Sequence, residues 1–208
     1  MSDIKIDISL LSDGEEILKN QSATQKAIKL IDAYIGIKPT LVGSHAMGVG
    51  IPGSDIDFAV GINTSHEKTK LKNILMKYME FRGERPATLE TTRFLFCTRI
   101  EDTHIDLNVM DIKDYDHLVH GMKRARAELT DEEKSSCIAE KIRLKKINKS
   151  EFEKYKLNLY QRFCPDLLWL PDFQIRAMIE KRCVSRQESL PAWLIAKKQN
   201  GKNEIVNC

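Results

Sequence analysis

From Ser12 to Tyr34 apolar residues recur at helical spacing, through Ile17, Leu18, Ala27, Ile28, Ile31 and Tyr34, and Gly36 with Pro39 ends the run. A short strand follows over Thr40 to Gly43. A second is expected over Ile56 to Val60, where Asp55 and Asp57 alternate with Ile56 and Phe58. Ser65 to Met79 carries Leu71, Ile74, Leu75, Tyr78 and Met79 on one stripe and predicts an amphipathic helix. Two extended runs, Thr92 to Ile100 and His104 to Met110, are joined by Glu101-Asp102-Thr103, which reads as a hairpin connection. From Asp114 onward the pattern is helical. Thr130-x-x-Glu133 and Ser150-x-x-Glu153 form capping-box patterns that mark helix starts, Pro165 and Pro171 interrupt the apolar run Leu167 to Leu170, and a last helical stretch starts near Phe173. This order predicts an α+β class: a sheet domain over residues 1–115 and a helical C-terminal part over 116–208.

Composition narrows the class. With 208 residues, 42% hydrophobic, 30% charged and a net charge of +3, the chain can bury a core and is not disordered. No window approaches the roughly 18 apolar residues of a membrane span. Met1 to Leu10 alternates polar and apolar residues and carries acids, so it is not a secretory signal. A soluble cytoplasmic protein with no membrane association is expected. Cys97, Cys137, Cys164, Cys183 and Cys208 are widely spaced with no CxxC pair, and are read as reduced, mostly buried thiols. Residues 1–112 hold 13 Lys+Arg against 16 Asp+Glu and the remainder 20 against 14, an acidic half before a basic one.

The chemistry concentrates between Leu41 and Phe58. On a strand, Asp55 and Asp57 point the same way about 7 Å apart, an arrangement that becomes favourable when divalent cations sit between the acids and a phosphate. Upstream, Gly43-Ser44 directly follows the apolar Leu41-Val42. A glycine there lets the backbone approach an anion, and the Ser hydroxyl and nearby N–H groups can hold phosphate oxygens. Half of the 10 glycines (Gly36, Gly43, Gly48, Gly50 and Gly53) fall within residues 36–53, which implies tight turning or close ligand approach. Downstream, Asp106 is flanked by Ile105 and Leu107. If its strand lies beside the first, Asp106 becomes a third carboxylate at the same place, with Asn108 on its face.

The pattern apolar–Gly–Ser, then Asp-x-Asp, then a third Asp on a later strand resembles the DNA polymerase beta-like nucleotidyltransferase superfamily. Gly43 to Asp57 has the length of the GSxxxGxxxxxSDxD block of the minimal, antibiotic-type nucleotidyltransferases, with Ser44, Ala46, Gly48, Ser54, Asp55 and Asp57 in place. The resemblance covers residues 39–110. It implies a nucleotidyltransferase-like mixed β-sheet with flanking helices. It also implies that Gly43, Ser44 and Ser54 bind a nucleoside triphosphate, with ATP expected. Asp55, Asp57 and Asp106 would be the catalytic and metal-holding residues, for two Mg²⁺ ions with Mn²⁺ as the alternative. The implied reaction is in-line attack of an acceptor hydroxyl on the α-phosphate, with pyrophosphate leaving. A small-molecule acceptor is favoured over nucleic acid. The alternatives are a toxin-like enzyme acting on protein or RNA, and a non-catalytic binding or regulatory protein of the same fold.

Met47 stands where many minimal members carry Arg, which removes a cation from beside the phosphates. Arg93, Lys68 and the stretch Lys141 to Lys149 are the candidates to replace it. His45 and His104 flank the presumed site and either could donate to a phosphate, although a structural role is the commoner one for histidine. Lys141, Arg143, Lys145, Lys146 and Lys149 have no interleaved aromatics and read as an exposed helix face rather than a nucleic-acid track. Trp169, with Leu167, Leu168 and Leu170, reads as core.

Overall fold

The computed structural model describes residues 13–169 and, beyond them, residues 174, 177, 178, 180, 181 and 183. The expectations for Met1 to Leu10 and Cys208, and most of the helix predicted from Phe173, lie outside the described residues. The elements in chain order are α1 (Asp13–Ile35), β1 (Thr40–Val42), α2 (Gly43–Met47), β2 (Ile56–Ile62), α3 (Ser65–Leu75), β3 (Glu80–Pro86), β4 (Thr92–Ile100), β5 (Thr103–Asp111), α4 (Ile112–Glu128), α5 (Asp131–Ile147) and α6 (Lys149–Phe163). This is the expected α+β class: a five-stranded mixed sheet of order β1-β2-β5-β4-β3, flanking helices, and a helical C-terminal part. Only β2 and β5 run parallel; every other pairing is antiparallel.

The period-two alternation of β2 and β5 sorts the molecule into two layers. Ile56, Phe58, Val60, Ile62, Ile105, Leu107 and Val109 point to one face, where Ala27 and Ile31 of α1 and Leu71 and Leu75 of α3 complete a core. On the other face Ala59 and Met110 join Val42 and Met47, Leu118 and Met122 of α4, and Tyr160 and Phe163 of α6. Leu167 and Trp169 belong to this second core as expected, and the Trp169 indole donates to the Cys164 carbonyl at 2.8 Å. Among the described residues all cysteines are free thiols, with Cys137 partly exposed and Cys97, Cys164 and Cys183 buried. No helix among them is long and apolar enough to cross a membrane.

Several boundaries differ from the sequence expectation. The first strand stops at Val42, because Gly43 turns the chain into α2 with φ +69°. The helix predicted to Met79 ends at Leu75; Tyr78 leaves the stripe to stack on Tyr34, their ring centroids 4.0 Å apart. The sequence pattern does not predict β3. Its charged residues, Gly83 and Pro86 disguise it, and they are tolerated because β3 is an edge strand with a bulge between Phe81 and Gly83. The β4–β5 hairpin turns on Glu101 and Asp102, both at positive φ. The Thr130 capping box forms as predicted. The next helix instead starts at Lys149, because the Asn148 side chain accepts from Ser150 and Glu151 N–H and takes the cap from Ser150.

Candidate active site

Register brings the predicted acids together. Val42 pairs with Asp57, Asp57 with Asp106, Asp106 with Cys97, and Cys97 with Glu80, so one row crosses all five strands. Paired residues on adjacent strands share a face, and Asp57 and Asp106 project from the face opposite the α1–α3 core. Asp55 lies just before β2 and is exposed, its side chain 56% accessible against 21% for Asp106. Asn108 shares the Asp106 face as predicted and donates to the Phe58 carbonyl at 3.3 Å.

The electrostatics of the row are those of crowded acids. Burial, with the negative charges of Asp106 and Asp55, raises the Asp57 carboxyl to about 7, against the smaller pull of Lys156 and Arg93. Burial and the Asp55 charge also raise Asp106, with His104, Arg85 and Arg82 acting the other way. The Asp106 and Asp55 charges thus hinder ionisation of Asp57, and the Asp55 charge that of Asp106.

The Gly43 backbone lies against Asp57. A Cβ built on Gly43 would collide with the Asp57 Oδ2, so the position excludes a side chain by contact as well as by its φ of +69°. Ser44, next to it, is buried, and its hydroxyl is held by Tyr160 Oη at 2.9 Å and by Lys141 Nζ at 2.9 Å. Lys141 also donates to the Val49 carbonyl at 2.7 Å, and Lys145 to the Gly53 carbonyl at 3.1 Å. The basic face of α5 thus straps down the loop from α2 to β2. Desolvation and the neighbouring Lys156 charge lower the Lys141 ammonium to about 8, while Asp57 opposes the shift.

Ser54 pairs its hydroxyl with His45 Nε2 at 2.9 Å, and a Cβ on Gly50 would meet the His45 ring. His45 is thereby engaged within the loop; burial lowers its pKa against the opposing Ser54 bond. His104 lies at the acids, its Nδ1 3.6 Å from Asp55 Oδ1 and 3.5 Å from Asp106 Oδ1.

Two expectations need correction. Met47 is fully buried in the second core, so the position without Arg packs among apolar side chains. Lys141 is 1% exposed and does not belong to a solvated face; its charge signature looks the same in sequence whichever way the helix turns it. Of the candidates to replace the missing cation, Lys141 reaches Ser44. Lys68 binds the Thr92 carbonyl and lies 3.4 Å from Asp111, at the other end of β5 from Asp106. Arg93 packs its guanidinium 5.8 Å from the Trp169 ring. Tyr160 was not singled out from sequence, since nothing local distinguishes it from the other apolar positions of α6.

A cavity of about 800 Å³ lies behind the loop, lined by Gln21 and Gln25 of α1, His45, Gly50, Arg126 and Ile142, and does not include the acids. No protein-family model and no curated protein sequence matches the chain. Among solved structures the chain is similar to Cid1, described with an RNA terminal uridylyl transferase activity, at a TM-score of 0.48 and 13% identity. The alignment takes in 61% of this chain and 40% of that one, so the chain spans well under half the length of the structure it resembles.

Proposed function

We propose that the protein is a cytoplasmic, metal-dependent nucleotidyltransferase that moves a nucleoside monophosphate from a nucleoside triphosphate, with ATP expected, to an acceptor hydroxyl. The observation that carries this reading is the direct pairing of Asp57 with Asp106, Gly43 backbone against Asp57, and Asp55 at the open edge. Asp55, Asp57 and Asp106 are the residues that would hold two Mg²⁺ ions, with Mn²⁺ as the alternative, which supply charge neutralisation along the phosphates. Burial of carboxylates that the neighbouring cations offset only in part fits such ions, since a metal cation restores the ionised form that burial opposes.

On this reading residues 1–115 form the catalytic domain, and residues 116–208 contribute Lys141 and Tyr160 behind Ser44. Gly43, Ser44 and Ser54 would border the triphosphate, where the glycine admits close backbone approach and the hydroxyls would exchange their bonds to Tyr160, Lys141 and His45 for phosphate oxygens. The acceptor oxygen attacks the α-phosphorus, the bond to the bridging oxygen breaks, and pyrophosphate leaves. Asp106, its carboxyl raised by burial and partly accessible, takes the acceptor proton. A small molecule is the favoured acceptor over nucleic acid.

The rival reading, a non-catalytic binder of the same fold, draws on one observation: the Ser44 hydroxyl is already committed to Lys141 and Tyr160. Thermal unfolding with each nucleoside triphosphate, with and without Mg²⁺, separates the two. Stabilisation that requires Mg²⁺ and disappears in Asp55→Asn supports the enzyme; equal stabilisation without metal supports the binder.

A further inference from the structure

Beside the acid row stand two side chains that nucleotidyl transfer does not use. Cys97 occupies the next position in the row after Asp106, and His104 lies two residues before Asp106 on the same face of β5. One ligand atom from each of Cys97, His104 and Asp106 falls within 4.8 Å of the others. The ligand atoms of a tetrahedral zinc ion lie about 3.3–3.6 Å apart, as bond lengths of about 2.0–2.3 Å require. The His104 Nδ1 to Asp106 Oδ1 distance of 3.5 Å already meets that geometry.

A second observation points the same way. His104 Nδ1 is cut off from solvent and makes no hydrogen bond, although carboxylate oxygens stand on two sides of it at 3.5 and 3.6 Å. Those carboxylates lie at ion-pair distance without a hydrogen bond to the ring nitrogen, and a metal ion is one group that would satisfy it. The thiol is buried, but Asp106 and His104 keep side-chain exposures of 21% and 30% and form the open side of the cluster. Burial pushes the Cys97 thiol up against the pull of Arg82, whose Nε donates to Sγ at 3.0 Å, and the thiol donates to Glu80 at 3.5 Å, so a cation bound here displaces a held proton.

We propose that Cys97, His104 and Asp106 form a site for a thiophilic divalent cation of the zinc type, distinct in ligand chemistry from the all-oxygen set of Asp55, Asp57 and Asp106. On binding, the thiol proton goes to solvent and Sγ, Nδ1 and a carboxylate oxygen become ligands, with water in the fourth position. Sulfur and imidazole select against Mg²⁺, which prefers oxygen. Resting on the proposed nucleotidyl transfer, one consequence follows. Asp106 belongs to both sets, so zinc at this site takes a carboxylate from the Mg²⁺ pair and inhibits the reaction.

The test is a titration of the full chain with Co²⁺ followed by displacement with Zn²⁺. Wild type is expected to show a thiolate-to-cobalt charge-transfer absorption that Zn²⁺ abolishes. Cys97→Ser loses that band, His104→Asn weakens Co²⁺ binding by about tenfold or more, and Cys137→Ser keeps both. Circular dichroism confirms that each variant is folded; should Cys97→Ser fail to fold, His104→Asn with its thiol intact carries the test. No band in wild type, a band that survives in folded Cys97→Ser, or unchanged Co²⁺ affinity in folded His104→Asn overturns the site. If the band behaves as expected while no nucleotide transfer or Mg²⁺-dependent nucleotide binding occurs, the active-site reading fails and the zinc-type site stands.

Discussion

Lys141 and Ser44 are 97 residues apart in sequence, yet the Lys141 ammonium donates to the Ser44 hydroxyl at 2.9 Å. This bond joins α5 to α2, directly after the first strand, and the same ammonium holds the Val49 carbonyl in the loop beyond it. Helix and loop are therefore fastened by one buried cation. The residue that borders the proposed phosphate site is positioned from the far half of the chain.

Removing that cation tests the strap. Lys141→Ala leaves the Val49 carbonyl without its donor and opens a void, and should destabilise the fold by about 2–3 kcal/mol. Lys141→Met fills the void and recovers part of the loss. Urea midpoints compare the three proteins; a midpoint unchanged in Lys141→Ala would place the side chain in solvent.

The raised carboxyls set a pH dependence. Between an ordinary value of 3.8 and its folded value of about 7, Asp57 keeps in the folded state a proton that the unfolded chain releases. The unfolded state binds fewer protons in that window, so metal-free stability falls as pH rises from about 4 to about 7. Asp106, shifted in the same direction, adds to the fall. Lys141 acts in its own window: from about 8 to 10.5 the unfolded chain holds the proton the folded chain gives up, so its contribution rises with pH, against the Cys164 thiol, which burial raises from 9.0 to about 11 and which acts in the opposite sense. Chemical denaturation at successive pH values should show the decline in wild type and a shallower one in Asp57→Asn; equal slopes would contradict it.

Gly43→Ala puts a methyl group into the Asp57 carboxylate at a backbone φ of +69°. The left-handed conformation alone costs about 1–2 kcal/mol, and the collision adds to it. The variant should unfold at lower urea than wild type by more than the strain alone explains, and should lose nucleotide binding. A midpoint within experimental error of wild type would show that Asp57 lies away from the glycine.

Gly121 reverses an ordinary rule. Within a helix, Gly→Ala usually stabilises by about 1 kcal/mol. In α4, however, an added Cβ would meet Cys164 Sγ and the Phe163 carbonyl oxygen. Gly121→Ala is therefore expected to destabilise by about 1–3 kcal/mol, the range of overpacking. A raised melting temperature would mean that α4 and the end of α6 are not in contact.

How far the sequence disclosed these features depends on how local their signals are. The alternation around Asp57 and Asp106 exposed both strands, and their flanking Ile56, Phe58, Ile105 and Leu107 all reach the core as the pattern requires. The Thr130 capping box was legible because all its partners lie within one turn. β3 was not, because an edge strand pairs on one side and tolerates the charges of Glu80, Arg82, Glu84 and Arg85. Lys141 and Tyr160 were hidden for another reason. Their roles arise from packing across α5, α6 and the loop, and a basic or aromatic residue on a helix carries no mark of what lies opposite. The Cys97 position became meaningful only once β4 was paired in register with β5.

The most direct test of the central claim is incubation of the full chain with Mg²⁺ and nucleoside triphosphates carrying the radiolabel on either the α- or the γ-phosphate, together with small hydroxyl acceptors, RNA and cell extract. The account predicts that wild type transfers the α-label, never the γ-label alone, releases pyrophosphate in equal amount, and that Asp57→Asn and Asp106→Asn do neither. Transfer of the γ-label without the α-label, or α-label transfer that persists in folded Asp57→Asn, would contradict it.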